Sequence, residues 1–180
     1  MEKIVLTFGL ISGAIATLMM FLTIRFLSRL SYEYVTILGY ATFVVSFLMV
    51  FFGIRSFREN VAGRTITFSK GFKVGLLITL ISCAVYIVTW EIIHQNFLPN
   101  FFEQYLAYTI EKLRAAGAAP EEISRQMQEN EKFLRWYQNP LIRYAMAFME
   151  AFPVGLLITL ISAVILRRKE RKGDLAEARA

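Results

Sequence analysis

The sequence predicts an all-α fold: an integral membrane four-helix bundle with an extracytoplasmic amphipathic helical hairpin between its third and fourth spans. Three observations predict it. An apolar stretch, Phe72-Lys73-Val74-Gly75-Leu76-Leu77-Ile78-Thr79-Leu80-Ile81-Ser82, returns as Phe152-Pro153-Val154-Gly155-Leu156-Leu157-Ile158-Thr159-Leu160-Ile161-Ser162, identical at ten of eleven positions. Four apolar runs are each long enough, at 1.5 Å rise per residue, to cross a hydrocarbon core of about 30 Å. Between the third and fourth runs lie 45 residues, Gln95 to Asn139, in which apolar residues recur at helical spacing. Composition agrees: 56% of the 180 residues are hydrophobic and the mean hydropathy is +0.49, above the usual range of a soluble domain. The chain reads as a single membrane domain, 1–180.

The first span is expected at about 4–24 and is read as retained. Cleavage after its small-x-small stretch would leave the new end inside an apolar run, and a lone Lys3 is a weak signal-peptide start. Gly9, Gly13 and Thr17 fall on one stripe, suited to close approach of a neighbouring span. The second span is expected at about 34–54, with Phe43, Phe47 and Phe51 along one side. The third, at about 72–93, takes Ser69 as its N-cap, buries the lone Cys83 and ends near Trp90, which suits the interfacial aromatic belt. The hairpin is expected at about 100–138. Its first helix carries a stripe from Phe102 to Leu113 and stops at Gly117; its second begins at Pro120 beside Glu121 and Glu122. The fourth span, at about 144–166, exits into Arg167-Arg168-Lys169-Glu170-Arg171-Lys172 and a short polar tail, 167–180.

Charge sets the expected topology. The segment from Arg55 to Lys73 holds five basic residues against Glu59 alone, and the exit of the fourth span holds five in six residues. Basic flanks mark the cytoplasmic side, so both termini are expected there, in the inner membrane. The hairpin region, with six basic and six acidic residues from Gln95 through Arg143, is expected outside. Arg25 and Arg29 run against this assignment, although long arginines reach headgroups from a helix end. The net charge of +6 therefore reads as topological, with no nucleic-acid partner.

The duplicated stretch then runs in opposite directions in spans three and four. Gly75 and Thr79 form a small-residue stripe in one, and Gly155 and Thr159 its counterpart in the other. Packed antiparallel they would form an inverted helix repeat; transporter repeats comprise several helices, so a single repeated helix reads as a packing solution used twice.

Ionisable groups inside spans cost about 2.5–3.5 kcal/mol each at the helix centre, so each needs a reason. Glu91, His94 and Glu150 are the candidates for an ion, proton or metal site. Glu91 and His94 share a helix face at the Glu-x-x-His spacing, and Glu150 could supply a third ligand. The competing reading places the two carboxylates at headgroup level, solvated or paired with Arg143 or Arg25. One histidine and one cysteine disfavour a metal centre, and no phosphate loop, nucleophile triad or HExxH motif is present. No cofactor is expected.

Ile4 through Gly13, the Phe72-Lys73-Val74-Gly75 start, Glu111-Lys112-Leu113-Arg114, and Pro153-Val154-Gly155 with Arg167-Arg168-Lys169 resemble a family of small four-span bacterial membrane proteins. These proteins come mostly from Bacteroidetes and are grouped as domain of unknown function 4199. The resemblance covers nearly the whole chain. It implies a four-span inner-membrane protein and supplies no activity, ligand or active site.

Two functions stay open. The first is a non-enzymatic structural or interaction protein, embedded in the bilayer, whose outer hairpin meets an envelope protein or a second copy of the chain. The second is a small transporter or ion-coupled carrier using the intramembrane carboxylates.

Overall fold

The computed structural model describes residues 1–26 and 32–168. Among these described residues six helices follow in order: α1 (Glu2–Phe26), α2 (Tyr32–Asn60), α3 (Phe68–Asn96), α4 (Phe101–Ala115), α5 (Pro120–Tyr137) and α6 (Pro140–Leu166). Among the described residues the only extended pairing is an isolated antiparallel bridge between Ile66 and Arg168. Four helices, α1, α2, α3 and α6, are long and apolar enough to cross a membrane. The chain is thus an all-α, multi-pass membrane protein, with the hairpin α4–α5 between its third and fourth spans. Arg29 and the tail beyond Arg168 lie outside the described residues.

The helices run longer than the apolar runs alone indicate. α2 and α3 have 29 residues and α6 has 27, about 40 Å or more of helix against a core of about 30 Å. Backbone hydrogen bonding continues into the polar flanks, which hydropathy does not register. The start of α3 corrects one expectation. Thr67, two residues before Ser69, is the N-cap, and its hydroxyl accepts the Lys70 N–H at 3.4 Å. α4 stops as its sequence implies. Gly117, at φ +75°, donates to the Arg114 carbonyl, and Ala118 donates to that of Leu113, both at 3.0 Å. At the start of α5, Pro120 stands in the first turn with Glu121 and Glu122.

The chain packs as two compact units, one of Met1–Tyr86 with the segment from Glu150 onward, the other of Ile87–Met149. In the first, the core is built from Phe47, Val50 and Ile54 of α2 with Val74 and Ile78 of α3, all buried. Close backbone approach organises it. A Cβ on Gly9 would lie 2.7 Å from Ile81, and one on Gly13 2.6 Å from Val85, so α1 and α3 run parallel with their backbones nearly touching. α1 and α2 cross at a reciprocal serine clamp. Ser12 donates to the Ser46 carbonyl at 2.9 Å, Ser46 donates to the Ser12 carbonyl at 2.7 Å, and the hydroxyls are 3.0 Å apart.

The duplicated stretch meets itself. A Cβ on Gly75 would stand 2.8 Å from Thr159 Cγ2, and one on Gly155 2.5 Å from Thr79 Cγ2. The two threonine hydroxyls are 2.9 Å apart, both residues fully buried. One turn away a Cβ on Gly71 would face Ala163 at 3.6 Å. The register 71 against 163, 75 against 159 and 79 against 155 makes α3 and α6 antiparallel here. Phe47 fills the remaining side of Gly155, so the phenylalanine stripe of α2 faces the core at Phe43 and Phe47.

These contacts generate a stability prediction. Gly155→Ala should cost about 1–3 kcal/mol by overpacking, measured as unfolding in mixed micelles. Thr79→Ser, which removes the clashing methyl, should recover part of that loss. Gly39→Ala, with nothing within 4 Å of the added carbon, should be neutral or stabilising by up to about 1 kcal/mol.

Candidate functional site

Glu91 lies on α3, in the second unit, and its carboxylate is fully engaged. Arg143 of α6 grips it with both arms of the guanidinium, Nη2 to Oε1 at 2.6 Å and Nε to Oε2 at 3.1 Å. Gln95 Nε2 adds a third bond to Oε1 at 2.7 Å. The ion pair is nearly enclosed, with side-chain exposures of 9% for Arg143 and 14% for Glu91. A bidentate pair of this kind combines charge with fixed geometry. The remaining guanidinium nitrogen, Nη1, donates to the carbonyls of Tyr137 and Gln138, both at 3.1 Å. Those carbonyls belong to the end of α5, where a helix leaves acceptors without intrahelical donors. One arginine therefore joins α3, the C-terminus of α5 and the start of α6.

An aromatic cluster surrounds this latch. Tyr137 is buried, packs 4.4 Å (centroid to centroid) from Phe102 of α4, and accepts the Trp90 indole N–H at 2.8 Å. Trp90 is thus tied into the cluster through its indole N–H. His94 stacks on Trp90 at 6.4 Å and meets the Tyr137 ring edge-on at 5.4 Å. Its Nδ1 is buried and has no hydrogen-bond partner among the described residues. The imidazole is held as an aromatic plate, and the neighbouring Glu91 turns to Arg143. The stripe of α4 is covered within the hairpin: Phe102 packs on Phe133, Ile110 is buried, and Asn130 Nδ2 reaches the Leu106 carbonyl at 3.5 Å.

Glu150 belongs to the first unit, on α6. Its Oε2 accepts the Tyr86 hydroxyl at 3.0 Å, and Tyr86 is buried edge-on against Phe43. The Glu150 side of α6 is exposed. Because α6 begins at Pro140, Glu150 stands about 15 Å along the helix from its first residue. Among the described residues no three His, Cys, Asp or Glu side chains gather closely enough to hold a metal ion. Cys83 is a free, buried thiol. The packing residues Gly9, Gly13, Gly75, Thr79, Gly155 and Thr159 all sit at the crossings described above.

Sequence reasoning missed two residues that matter here. Tyr86 continues the Thr79–Ser82 stripe of α3, and that spacing could have flagged it. Tyr137 had no signal, since its role depends on where α5 ends against α3.

Residues 7–168 match the family described as "Protein of unknown function (DUF4199)". The chain belongs to this family. The match takes in all of α2 to α6 and most of α1, so both the latch and the Thr79–Thr159 crossing fall inside the family region. No curated protein and no solved structure matches the chain.

The latch carries a prediction. Removing one partner of a half-buried, bidentate ion pair strands the other charge, so Glu91→Ala and Arg143→Ala should each destabilise by about 1–3 kcal/mol. Arg143→Ala should be the worse of the two, since two α5 carbonyls also lose their donor. The double variant should fall well short of the sum, the sign of direct coupling. Hydrogen exchange in α5 should rise in Arg143→Ala.

Proposed function

We propose that this protein is a non-enzymatic structural or interaction protein of the bacterial inner membrane. In this reading both termini are cytoplasmic and the α4–α5 hairpin lies outside, where it meets an envelope protein or a second copy of the chain. The observation that carries it is the spending of charge. Glu91, the most attractive ionisable group of α3, is consumed by Arg143, and Arg143 in turn fixes the end of α5. An arrangement that uses its charged groups to hold a hairpin still serves presentation better than turnover. The charged outward residues of the hairpin, among them Glu103, Glu111 and Glu129, are exposed and would form a polar recognition face. The basic ends of α2 and α6 support the cytoplasmic assignment of that side.

The reciprocal α3–α6 crossing supports reading the duplicated stretch as an inverted helix repeat, related by a local two-fold through Thr79 and Thr159. Its role here is packing. Without a hydrophobic gain inside lipid, helices associate where small residues let backbones meet, and the same solution serves twice.

Glu150 favours a second reading, a small ion-coupled carrier. It is an exposed carboxylate inside a span with a tyrosine hydroxyl as its hydrogen-bond donor. Carboxylates within spans mark ion or proton paths.

Two measurements separate these readings. In a Cys83→Ser background, cysteines placed at Glu111 and Gln128 should react with a membrane-impermeant maleimide added outside intact spheroplasts. Protection there, with labelling only after lysis, would overturn the outward hairpin. Proteoliposomes should show no proton or cation flux above empty vesicles. Flux abolished by Glu150→Gln would establish the carrier and overturn the non-transporting reading.

A further inference from the structure

The turn between α2 and α3 forms a cleft with the exit of α6. Its volume is about 400 Å³, and it is lined by Arg58, Glu59, Asn60, Arg64 and Arg168, with no apolar side chain among them. Three arginines thus face one carboxylate. That carboxylate is already shared, since Glu59 Oε1 accepts Arg55 Nε at 3.0 Å and Arg58 Nη2 at 3.2 Å.

The cleft is constructed by the backbone. Ile66 and Arg168 exchange both main-chain hydrogen bonds, at 3.0 and 2.9 Å, across about a hundred residues of sequence. The buried Ile66 side chain anchors that bridge, so Arg168 is held beside the turn and does not trail away from α6. Arg58 is braced by its Nη1 bond to the Leu166 carbonyl at 3.4 Å. Arg64 sits in the left-handed region, φ +63°, directly after Gly63 at φ +62°. Its N–H closes the turn on the Arg58 carbonyl at 2.9 Å. A left-handed arginine is a costly choice where glycine would be relaxed, and such choices cluster at ligand sites. Among the described residues, neither the Arg64 nor the Arg168 guanidinium has a carboxylate within ion-pair distance.

Asn60 and Leu166 are the last residues of two candidate spans, so the cleft lies at one end of those apolar helices, where lipid headgroups and water are both within reach. Guanidinium groups match phosphate oxygens in a fork geometry, and basic pockets between spans take anionic headgroups. We propose that this cleft is a binding site for a phosphate-bearing anion, supplied by an anionic phospholipid of the adjoining leaflet or by a soluble phosphate compound. The proposal is independent of what the hairpin contacts.

The test uses the full-length protein in nanodiscs of phosphatidylcholine, with phosphatidylglycerol introduced in steps, and in detergent with added pyrophosphate. Thermal unfolding and native mass spectrometry are the readouts. Phosphatidylglycerol should stabilise the wild type, and Arg168→Gln should bind it about fivefold more weakly, the weight of one arginine at a membrane surface. Arg64→Gly should lose the response in the same way, yet unfold about 2–4 °C higher than wild type when no anion is present, because the left-handed strain is relieved. Lys70→Gln/Lys73→Gln removes more charge from the same end of α3 outside the cleft, and should keep the full response. Stabilisation by phosphatidylglycerol alone identifies the lipid as the source; stabilisation by pyrophosphate identifies a soluble phosphate. The proposal is overturned if neither anion separates wild type from the cleft variants, or if the lysine pair loses as much as Arg168→Gln.

Discussion

Everything in the first unit depends on how closely the backbones of α3 and α6 approach at Thr79 and Thr159. Lipid is as apolar as the side chains, so burying leucine between two spans gains little. What holds spans together is dispersion at short range and hydrogen bonds that water does not compete for. Gly75 and Gly155 bring the helices near enough for two threonine hydroxyls to meet at 2.9 Å. The Ser12–Ser46 clamp repeats the principle between α1 and α2, with each hydroxyl serving the other helix's carbonyl. Gly9 and Gly13 complete it against α3. Large side chains such as Phe47 then fill the space that the crossings define.

The second unit is held by different physics. Its hairpin carries polar surface and many charges, and its fixed point is an enclosed ion pair backed by an aromatic cluster. A half-buried pair of this type adds little net stability over an apolar substitute, but removing one partner is costly. Its value lies in geometry: a planar guanidinium satisfies Glu91 and two carbonyls at the end of α5 simultaneously. The chain's one histidine is absorbed by the same cluster. Glu150 stands apart from this economy of paired charge, which is why it alone keeps a carrier reading alive.

At the ends of α2 and α6 the charge is handled in a third way. Glu59 draws in two arginines, while Arg64 and Arg168 are positioned by main-chain bonds and, among the described residues, have no carboxylate within ion-pair distance. Polar groups thus meet hydroxyls at the crossings of the first unit, opposite charge at Glu91 in the second, and a shared carboxylate, Glu59, at the basic end. Unpaired charge is tolerable only where water and headgroups can reach it.

The sequence by itself determined the four apolar helices, the hairpin between the third and fourth, the stop at Gly117 and the start at Pro120, because these follow from local periodicity and backbone preference. It also put Gly9 with Gly13, Gly75 with Thr79 and Gly155 with Thr159 on shared stripes, since small residues four apart fall on one helix face. Which partner each residue meets was decided only by tertiary structure. Gly13 facing Val85, Glu91 turning to Arg143 and away from His94, and Ile66 bridging to Arg168 join positions far apart in the chain. The α3 cap moved from Ser69 to Thr67 for a related reason: helix ends depend on where neighbouring backbone is pinned, here by the bridge at Ile66. Spacing along one helix fixes which residues share a face. What that face touches depends on the register between helices, which periodicity within any single helix does not encode.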